Sequence, residues 1–525
     1  MIHHIKSLDI KKVLIMEIEH DLTRKILDPI HGIIRMTALE MDFISHPLYQ
    51  RLRNIKQNSF LYKVFPSAVH SRFEHSLGVL HLSNEILKNL HLNAIRYNKK
   101  YDDGHVFCSI NKLPKHNVQE LRLAALMHDL GHGPMSHQFE SFMPSKSQMI
   151  DILDNKYHKI LNVLKNGNDR VEHEQLSLIF CHIIYNELKE NGKVDDSINI
   201  ENVFKIIEKK YDDQKIVQKI DGVELDILPL LTSIISSCPI DADRMDYLQR
   251  DSYFSGVKCG IYDYNRLFMS IVPVEEDGKV CLAYKESGID SIAEFIGARS
   301  SLFSQVYYHK TNRAFSSMLN NVCENMKNGS SDNLIIADVC DPETSCLDDD
   351  SIKALTEFYI DCSDDHFLNE KVAGWIDITK TTDVNKDILD DIINRLPWSK
   401  IYEAKHTVSN VSITYKDDGQ LRKNIQTKLS YILDGCLKKH QYSIDIVTDT
   451  AFKDIDKTEV KLLVKEIDGS YKIKPLALCG DKLDQYQNIK YFIRVFVDRD
   501  VKEKLPSDLI NKLHEVVMNE INSAN

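Results

Sequence analysis

Apolar side chains recur at intervals of three and four residues in several stretches of the chain, and this spacing is typical of one face of a helix. The clearest of these stretches, Leu121–Glu140, reads LRLAALMHDLGHGPMSHQFE. Its apolar face ends in the adjacent pair His128 and Asp129, and glycine and proline follow directly. Because glycine and proline break helices, the pattern predicts a buried helix that ends at an imidazole and a carboxylate.

Similar periodicity predicts further helices. One of them should begin at Arg72, because Ser71 and Glu74 have the spacing of a capping box, in which each side chain accepts a hydrogen bond from the other's backbone. The predicted helical segments are 46–57, 72–90, 172–188, 227–257 and, as one long helix, 291–319. Residues 95–117 are predicted to be a loop, and residues 141–171 a polar insertion.

Strand patterns are concentrated towards the C-terminus. Apolar or alternating runs occupy 443–447, 460–467, 471–478 and 491–497, with Asp468-Gly469 as a hairpin turn and a last helix at 509–521. Asp277-Gly278 predicts an earlier hairpin, and a turn is expected near Asp28. The chain is therefore predicted to be mainly α, with an N-terminal arm (1–23), a helical core (24–330) and a smaller C-terminal α+β lobe (331–525).

Composition narrows the classes of function. The chain has 525 residues, 43% of them hydrophobic and 27% charged, which is ordinary for a globular protein. The formal charge of −12 argues against nucleic acid as the main partner. Eleven cysteines without CxxC pairs favour a reduced, cytoplasmic location, and no stretch approaches the length of a membrane span.

The histidines and acids point to a metal. A buried helix that ends in imidazole and carboxylate groups needs a partner for them, and Fe, Mn, Zn or Mg suits one nitrogen and one oxygen ligand. Further along, Asp243, Tyr247 and Asp251 follow each other at i, i+4 and i+8, so a helix would stack them on one face. An acidic-basic helix of this kind is, taken alone, more often a solvated surface.

Four motifs together carry a resemblance to a known family: RFEHSLGV, HDLGHGPMSH, HEQ and DADRMDYLQRDSYFSGV. With these motifs the chain resembles the HD-domain deoxynucleoside triphosphate triphosphohydrolases, which include the animal sterile-alpha-motif/HD dNTPase and the bacterial dNTPases and dGTPases. The resemblance runs from about Arg24 to Lys310 and is faint in the C-terminal lobe. It implies an HD-domain helical core and hydrolysis of a dNTP, by attack of metal-activated water on the α-phosphorus, to deoxynucleoside and inorganic triphosphate.

The resemblance also implies roles for individual residues. The implied metal ligands are His75, His128, Asp129 and Asp243. The implied catalytic residues are His137, His173, Glu174, Glu140 and His132, with Glu140 standing where the animal enzyme has Asp. The implied substrate-binding residues, which would hold the triphosphate with its Mg or the sugar, are Arg72, Arg244, Tyr247, Asp251, Arg299, Tyr307, His309, Lys310 and Gln57. Tyr307 would pack under C2′ and so exclude a ribose 2′-hydroxyl.

Regulation by nucleotides is a further implication, because members of this family assemble into active oligomers with nucleotides at the subunit interfaces. The positions that match the allosteric site are Arg24, Gln50, Arg53, Arg266 and Arg494. Ser45, Leu27 and Asp498 depart from the animal enzyme, so we hypothesise an activating nucleotide other than GTP. A homo-oligomer, dimer or tetramer, is expected, with the C-terminal lobe in a regulatory or assembly role, in either dNTP pool control or antiviral defence.

Two alternatives remain open at this point. The same metal ligands would serve another HD phosphohydrolase, such as a nucleotidase, phosphodiesterase or nuclease. A catalytically idle HD scaffold that binds nucleotide is the second alternative, although it would have no need for the acid/base residues.

Overall fold

The fold is described from a computed structural model. The structure describes residues 21–98, 105–162, 170–211, 215–236, 240–329, 333–339, 349–379, 382–408, 415–450, 461–476 and 488–524. The predicted N-terminal arm lies almost entirely outside these residues. As predicted, the protein is mainly α-helical, with a smaller C-terminal α+β region.

The helices of the N-terminal two thirds surround the segment that carries His128 and Asp129. They are α1 (Ala38–Ser45), α2 (Pro47–Gln50), α3 (Arg72–Tyr97), α4 (Lys115–Met127), α5 (Lys146–Ile152), α6 (His158–Leu161), α7 (His173–Glu190), α8 (Ile200–Ile207), α9 (Leu228–Ile235), α10 (Ala242–Ser255), α11 (Tyr264–Ser270), α12 (Ile289–Leu302) and α13 (Lys310–Gly329). The later helices are α14 (Leu334–Val339), α15 (Asp349–Asp361), α16 (Asp364–His366), α17 (Ala373–Ile378), α18 (Thr382–Ile393), α19 (Tyr415–Asp434) and α20 (Leu509–Ala524).

The strands form three small sheets. They are β1 (Arg24–Asp28), β2 (Gly32–Met36), β3 (Val217–Ile220), β4 (Val223–Asp226), β5 (Ile271–Glu276), β6 (Lys279–Lys285), β7 (Ser399–Val408), β8 (Tyr442–Asp449), β9 (Lys461–Lys465), β10 (Tyr471–Pro475) and β11 (Ile489–Val497). Strands β1 and β2 form an antiparallel hairpin, and β7, β11 and β8 form an antiparallel sheet in that order. The third sheet joins β9 and β10 to β6, so C-terminal strands complete a sheet that the core begins.

Several local predictions are confirmed. Helix α3 begins at Arg72 with both hydrogen bonds of the Ser71–Glu74 capping box. The Asp277-Gly278 turn joins β5 to β6, with both residues in the left-handed region (φ 52° and 73°). Gly469 has φ 89° in the turn between β9 and β10. These features depend on neighbours within a few residues, and they can therefore be predicted from the local sequence.

Other local predictions are wrong in extent. The predicted helix 46–57 is only the short α2 followed by a 3₁₀ turn, Arg51–Asn54, because the Arg51 guanidinium turns inward to the carbonyl oxygens of Leu130 and His132. The predicted polar insertion 141–171 contains α5 and α6, whose Met149 and Ile160 join the core. The predicted loop 95–117 overlaps the end of α3 and the start of α4.

The long helix predicted over 291–319 is interrupted. Helix α12 ends in a π-helical turn, Phe303–Tyr307, and α13 starts again at Lys310. Tyr308 N donates to Phe303 O at 2.8 Å, which is the wider spacing of a π turn. The break changes the direction of every side chain after Leu302 relative to a straight helix.

Buried apolar side chains of the described residues form three clusters. The largest includes residues from Ile34 to Phe496, among them side chains of α3 and α4. The second lies between the β7–β11–β8 sheet and helices α19 and α20. The third is small and includes side chains of β5, β6 and β9. The domain boundaries stay a prediction. Among the described helices, none combines the length and apolar character that crossing a bilayer requires.

Candidate metal centre and active site

The chain turns sharply after α4 and docks on another helix. His128 is the C-cap of α4, and Asp129 follows it. Gly131 makes the docking possible, because a Cβ there would lie 2.1 Å from the carbonyl oxygen of His173 at the start of α7. Met135 then adopts φ 60°, and its N–H donates to Asp364 Oδ1 at 2.6 Å, which stabilises an otherwise unfavourable conformation.

The four predicted metal ligands converge from α3, α4 and α10. His75 Nε2 lies 3.1 Å from Asp243 Oδ1 and 3.5 Å from Asp129 Oδ2. His128 Nε2 lies 3.5 Å from Asp129 Oδ1 and 3.8 Å from Asp243 Oδ1. Ligand atoms of His75, His128 and Asp129 thus all lie within 4.8 Å of one another, and Asp243 lies beside both histidines.

The donor atoms of these residues fit a divalent cation. In the described part of the chain, His75 Nε2 and His128 Nε2 are buried and lack a partner in hydrogen-bond geometry. Their other ring nitrogens are occupied, since His75 Nδ1 donates to Asp246 Oδ2 and His128 Nδ1 to the Ala125 carbonyl oxygen, both at 2.8 Å. Each imidazole therefore turns a lone pair towards two carboxylates, as in histidine metal ligation.

Charge at the centre supports the same conclusion. Burial would lower the pKa of His75, but the nearby carboxylates of Asp243 and Asp246 raise this pKa. Burial would raise the pKa of Asp129, yet Arg72 and the neighbouring histidines hold it well below its usual range. The cluster thus concentrates negative charge that a cation would neutralise.

A second group of histidines lies beside the first. Glu140 Oε1 accepts hydrogen bonds from His137 Nδ1 and His173 Nδ1, both at 2.9 Å. The His132 ring stacks on His173 with centroids 3.7 Å apart, and His132 Nε2 lies 3.4 Å from Asp129 Oδ1. Burial would raise the pKa of Glu140, but the two hydrogen-bonded imidazoles hold it far below its usual range. This carboxylate is positioned to share protons with two imidazoles.

Both groups open on one cavity of about 430 Å³. Its walls include the sugar-binding candidates Tyr247, Asp251 and Tyr307. Asp251 is buried and accepts hydrogen bonds from His70 Nε2 at 2.6 Å, from Asn58 Nδ2 at 2.9 Å and from the Tyr307 hydroxyl. The predicted residues that line the cavity are Gln57, Arg72, Asp129, His132, His137, His173, Glu174, Asp243, Tyr247, Asp251 and Tyr307.

Four predicted phosphate ligands do not line this cavity. Arg244 is held by Asp241, and Arg299 lies over the Phe303 ring, 3.4 Å from Asp449 Oδ1. His309 packs edge-on against Phe65, and Lys310 lines a separate surface cavity. The π turn explains the last two, because it separates them from the face that carries Tyr307. Their roles stay predictions.

The predicted allosteric positions are dispersed over the described surface and interior. Arg53 Nε donates to Gln50 Oε1 at 2.9 Å, so these two lie together. Arg24 and Arg266 are exposed, on β1 and α11. Arg494 is 2% exposed in the C-terminal sheet, where it donates to Glu403 and to the carbonyl oxygen of Tyr308. The allosteric assignments remain predictions.

Residues that sequence reasoning missed lie behind the metal centre. Asp246 accepts a hydrogen bond from His75, while His31 and Arg250 also donate to Asp246, and Asp28 accepts from Arg250. A signal existed for one pair, because Asp246 and Arg250 are i, i+4 neighbours of opposite charge. Their burial and their link to His31 are tertiary and leave no pattern in the sequence.

This geometry defines a class: a helical protein with two histidines and two aspartates placed for one cation. Residues 72–251 match the family model described as HD domain, so this part of the chain is an HD domain, and the predicted resemblance is confirmed. An uncharacterized protein from Bacillus subtilis, YwfO, is 32% identical over 57% of this chain, which spans only 55% of that relative.

Two further similarities extend over most of the chain, one to a relative in sequence and one to a solved structure. The human deoxynucleoside triphosphate triphosphohydrolase SAMHD1 is 25% identical over 95% of this chain and 77% of its own length. The crystal structure of a hypothetical protein from Aquifex aeolicus superposes with a TM-score of 0.57 at 22% identity, covering 93% of this chain and 99% of that one. The latter likeness shows a shared fold.

Proposed function

We propose that this protein hydrolyses deoxynucleoside triphosphates to deoxynucleoside and inorganic triphosphate in a metal-dependent reaction. The observation that carries the proposal is that the candidate ligands Asp129 and Asp243 open on the same cavity as Tyr247, Asp251 and Tyr307. One end of the cavity thus suits phosphate and a cation, and the other suits a sugar hydroxyl. The name of the human relative supports the same substrate class.

His75, His128, Asp129 and Asp243 would hold the cation. Bound there, a divalent cation would supply Lewis-acid polarisation of a phosphoryl oxygen and lower the pKa of a water. Arg72 lines the cavity beside Asp129 and offers its guanidinium to phosphate oxygens. Together these groups would offset the charge of a triphosphate in a protein whose net charge is negative.

The reaction moves one proton to the leaving group. A water oxygen bonds to the α-phosphorus and gives up a proton, the bond from phosphorus to the 5′-oxygen breaks, and that oxygen takes up a proton to become the 5′-hydroxyl, so no net proton is consumed. The proton source in this proposal is the hydrogen-bonded group His137, Glu140 and His173, with Glu174 beside His173. An imidazole paired with a carboxylate has the pKa range for such a transfer near neutral pH.

The sugar end would select deoxynucleotides. Asp251 and Tyr247 would hold the 3′-hydroxyl, and Tyr307, fixed by its hydrogen bond to Asp251, would pack against C2′. The ring centroids of Tyr247 and Tyr307 are 6.3 Å apart, so the two phenols form adjoining walls. A ribose 2′-hydroxyl would then meet the Tyr307 ring.

Nucleotide activation and assembly into a homo-oligomer belong to the same proposal. Ser45 and Leu27 stand where the guanine-reading residues of the family would be, so the activator should be a nucleotide other than GTP. Strong activation by GTP alone would overturn this part of the proposal. The location in the cytoplasm and the choice between pool control and antiviral defence are tested only in cells.

The test is product analysis. The protein is incubated with each dNTP singly and mixed, with Mn²⁺ or Mg²⁺ and with each NTP as activator, and products are separated by chromatography. We expect inorganic triphosphate and deoxynucleoside, abolished in His128→Ala and Asp129→Ala and unchanged in His440→Ala, a histidine outside the cavity. Release of monophosphate or pyrophosphate would instead identify another HD phosphohydrolase, and bound metal without turnover an idle scaffold.

A further inference from the structure

The turn of the β1–β2 hairpin lies directly behind the metal centre. Asp28 shapes this turn, because its Oδ1 accepts hydrogen bonds from the backbone N–H groups of Ile30 (2.9 Å) and His31 (2.8 Å). Its other oxygen, Oδ2, accepts from Arg250 Nη1 at 2.9 Å. The turn is therefore attached to helix α10 through a fully buried guanidinium.

Asp246 connects the turn with the metal ligand His75. This carboxylate is 0% exposed and accepts from His31 Nε2 at 2.6 Å and from His75 Nδ1 at 2.8 Å. Arg250 donates to both of its oxygens, at 2.8 and 3.0 Å. Each oxygen thus has one imidazole and one guanidinium donor, and the carboxylate has little freedom to rotate.

The donors around Asp246 determine its effect on His75. Arg250 can only donate hydrogen bonds and contacts both carboxylate oxygens, so Asp246 acts here as an acceptor. A carboxylate that only accepts hydrogen bonds requires the proton of His75 to be on Nδ1. The Nε2 lone pair then faces Asp129 and Asp243.

We propose that Asp246, held from the opposite side by His31 of the hairpin turn, is a positioning residue that sets the tautomer and orientation of His75 for cation binding. The proposal rests on the proposed function only for its cation site and needs no particular substrate. Under this proposal, the position of the hairpin turn against helix α10 affects the affinity of the site for metal, although the turn is far from His75 in the sequence. His31 acts through Asp246 and does not itself face the cation.

The experiment titrates Mn²⁺ into the metal-free full chain without nucleotide. Asp246→Asn places an amide where two imidazoles and a guanidinium need an acceptor, and we expect Mn²⁺ affinity to fall about 10- to 100-fold. His31→Phe keeps a ring but removes the donor, and a smaller fall is expected. His31→Gln restores a donor and should recover part of the affinity. Ile33→Ala, 52% exposed on the same hairpin, is the matched control and should bind as wild type.

A second readout separates positioning from general damage. The visible spectrum of bound Co²⁺ should change in Asp246→Asn and His31→Phe, while the circular dichroism spectrum remains that of the wild type. If Asp246→Asn does not fold, the Mn²⁺ affinities of His31→Phe and His31→Gln are compared instead, and the proposal requires the weaker binding in His31→Phe. Folded variants that bind Mn²⁺ as tightly as the wild type would overturn the proposal. Normal cation binding with no dNTP hydrolysis would instead contradict the proposed function alone.

Discussion

Gly78 is the position where helices α3 and α10 approach each other too closely for any side chain. A Cβ at this position would lie 1.8 Å from Asp246 Oδ1 and 2.7 Å from Arg250 Nη2. The carboxylate cannot rotate away at low cost, because His31, His75 and Arg250 hold both of its oxygens. The Gly78→Ala variant must therefore separate the two helices or break the buried ion pair.

The magnitude follows from opposing effects. Alanine in place of glycine in a helix stabilises by roughly 0.5–1 kcal/mol. Breaking a buried ion pair costs about 3–5 kcal/mol, and overpacking alone costs about 1–3 kcal/mol. Because the added Cβ would clash with the Asp246–Arg250 ion pair, we expect the free energy of unfolding of Gly78→Ala to fall by about 2–4 kcal/mol net.

The assay is urea unfolding followed by circular dichroism, in parallel with Gly374→Ala. Gly374 lies in helix α17, and no atom comes within 4 Å of the place that a Cβ would take, so this control should gain stability. The measured quantity is the difference between the two variants in the first unfolding transition. If Gly78→Ala unfolds at the same urea concentration as Gly374→Ala, the argument from the helix crossing is refuted.

Two further predictions concern the core and the metal. Glu40→Ala leaves the buried Arg122 guanidinium without its carboxylate, to which Nε donates at 2.7 Å and Nη2 at 2.9 Å, so the free energy of unfolding should fall by about 3–5 kcal/mol. The double variant with Arg122→Met should be more stable than Glu40→Ala, and the reverse order would contradict this account. Removal of metal with EDTA should lower the melting temperature and stop hydrolysis. Mn²⁺ at about 100 times its Kd should restore about 2.7 kcal/mol, and a melting temperature that does not respond to Mn²⁺ would exclude this cation site.

The sequence was informative where chemistry depends on residue type and near neighbours. His75, His128, Asp129 and Asp243 were predicted from motifs, and the structure brings them close together, while their role as ligands stays a prediction. Hairpin turns and the capping box at Ser71 were also predictable. The lengths of helices were harder to predict. The apolar spacing in 291–319, for example, gives no sign of the π turn at Phe303–Tyr307.

By itself, then, the sequence determined where helix α3 begins and indicated which side chains could ligate a cation, because residue identity and short-range hydrogen bonds carry that information. Only the tertiary structure decided that Asp246, anchored by the hairpin turn and by Arg250, supports His75 from behind. It also decided that Tyr307 lines the cavity while Arg299 does not. These facts depend on how closely α3 and α10 cross at Gly78 and on one widened helical turn, and neither is encoded in the spacing of apolar residues.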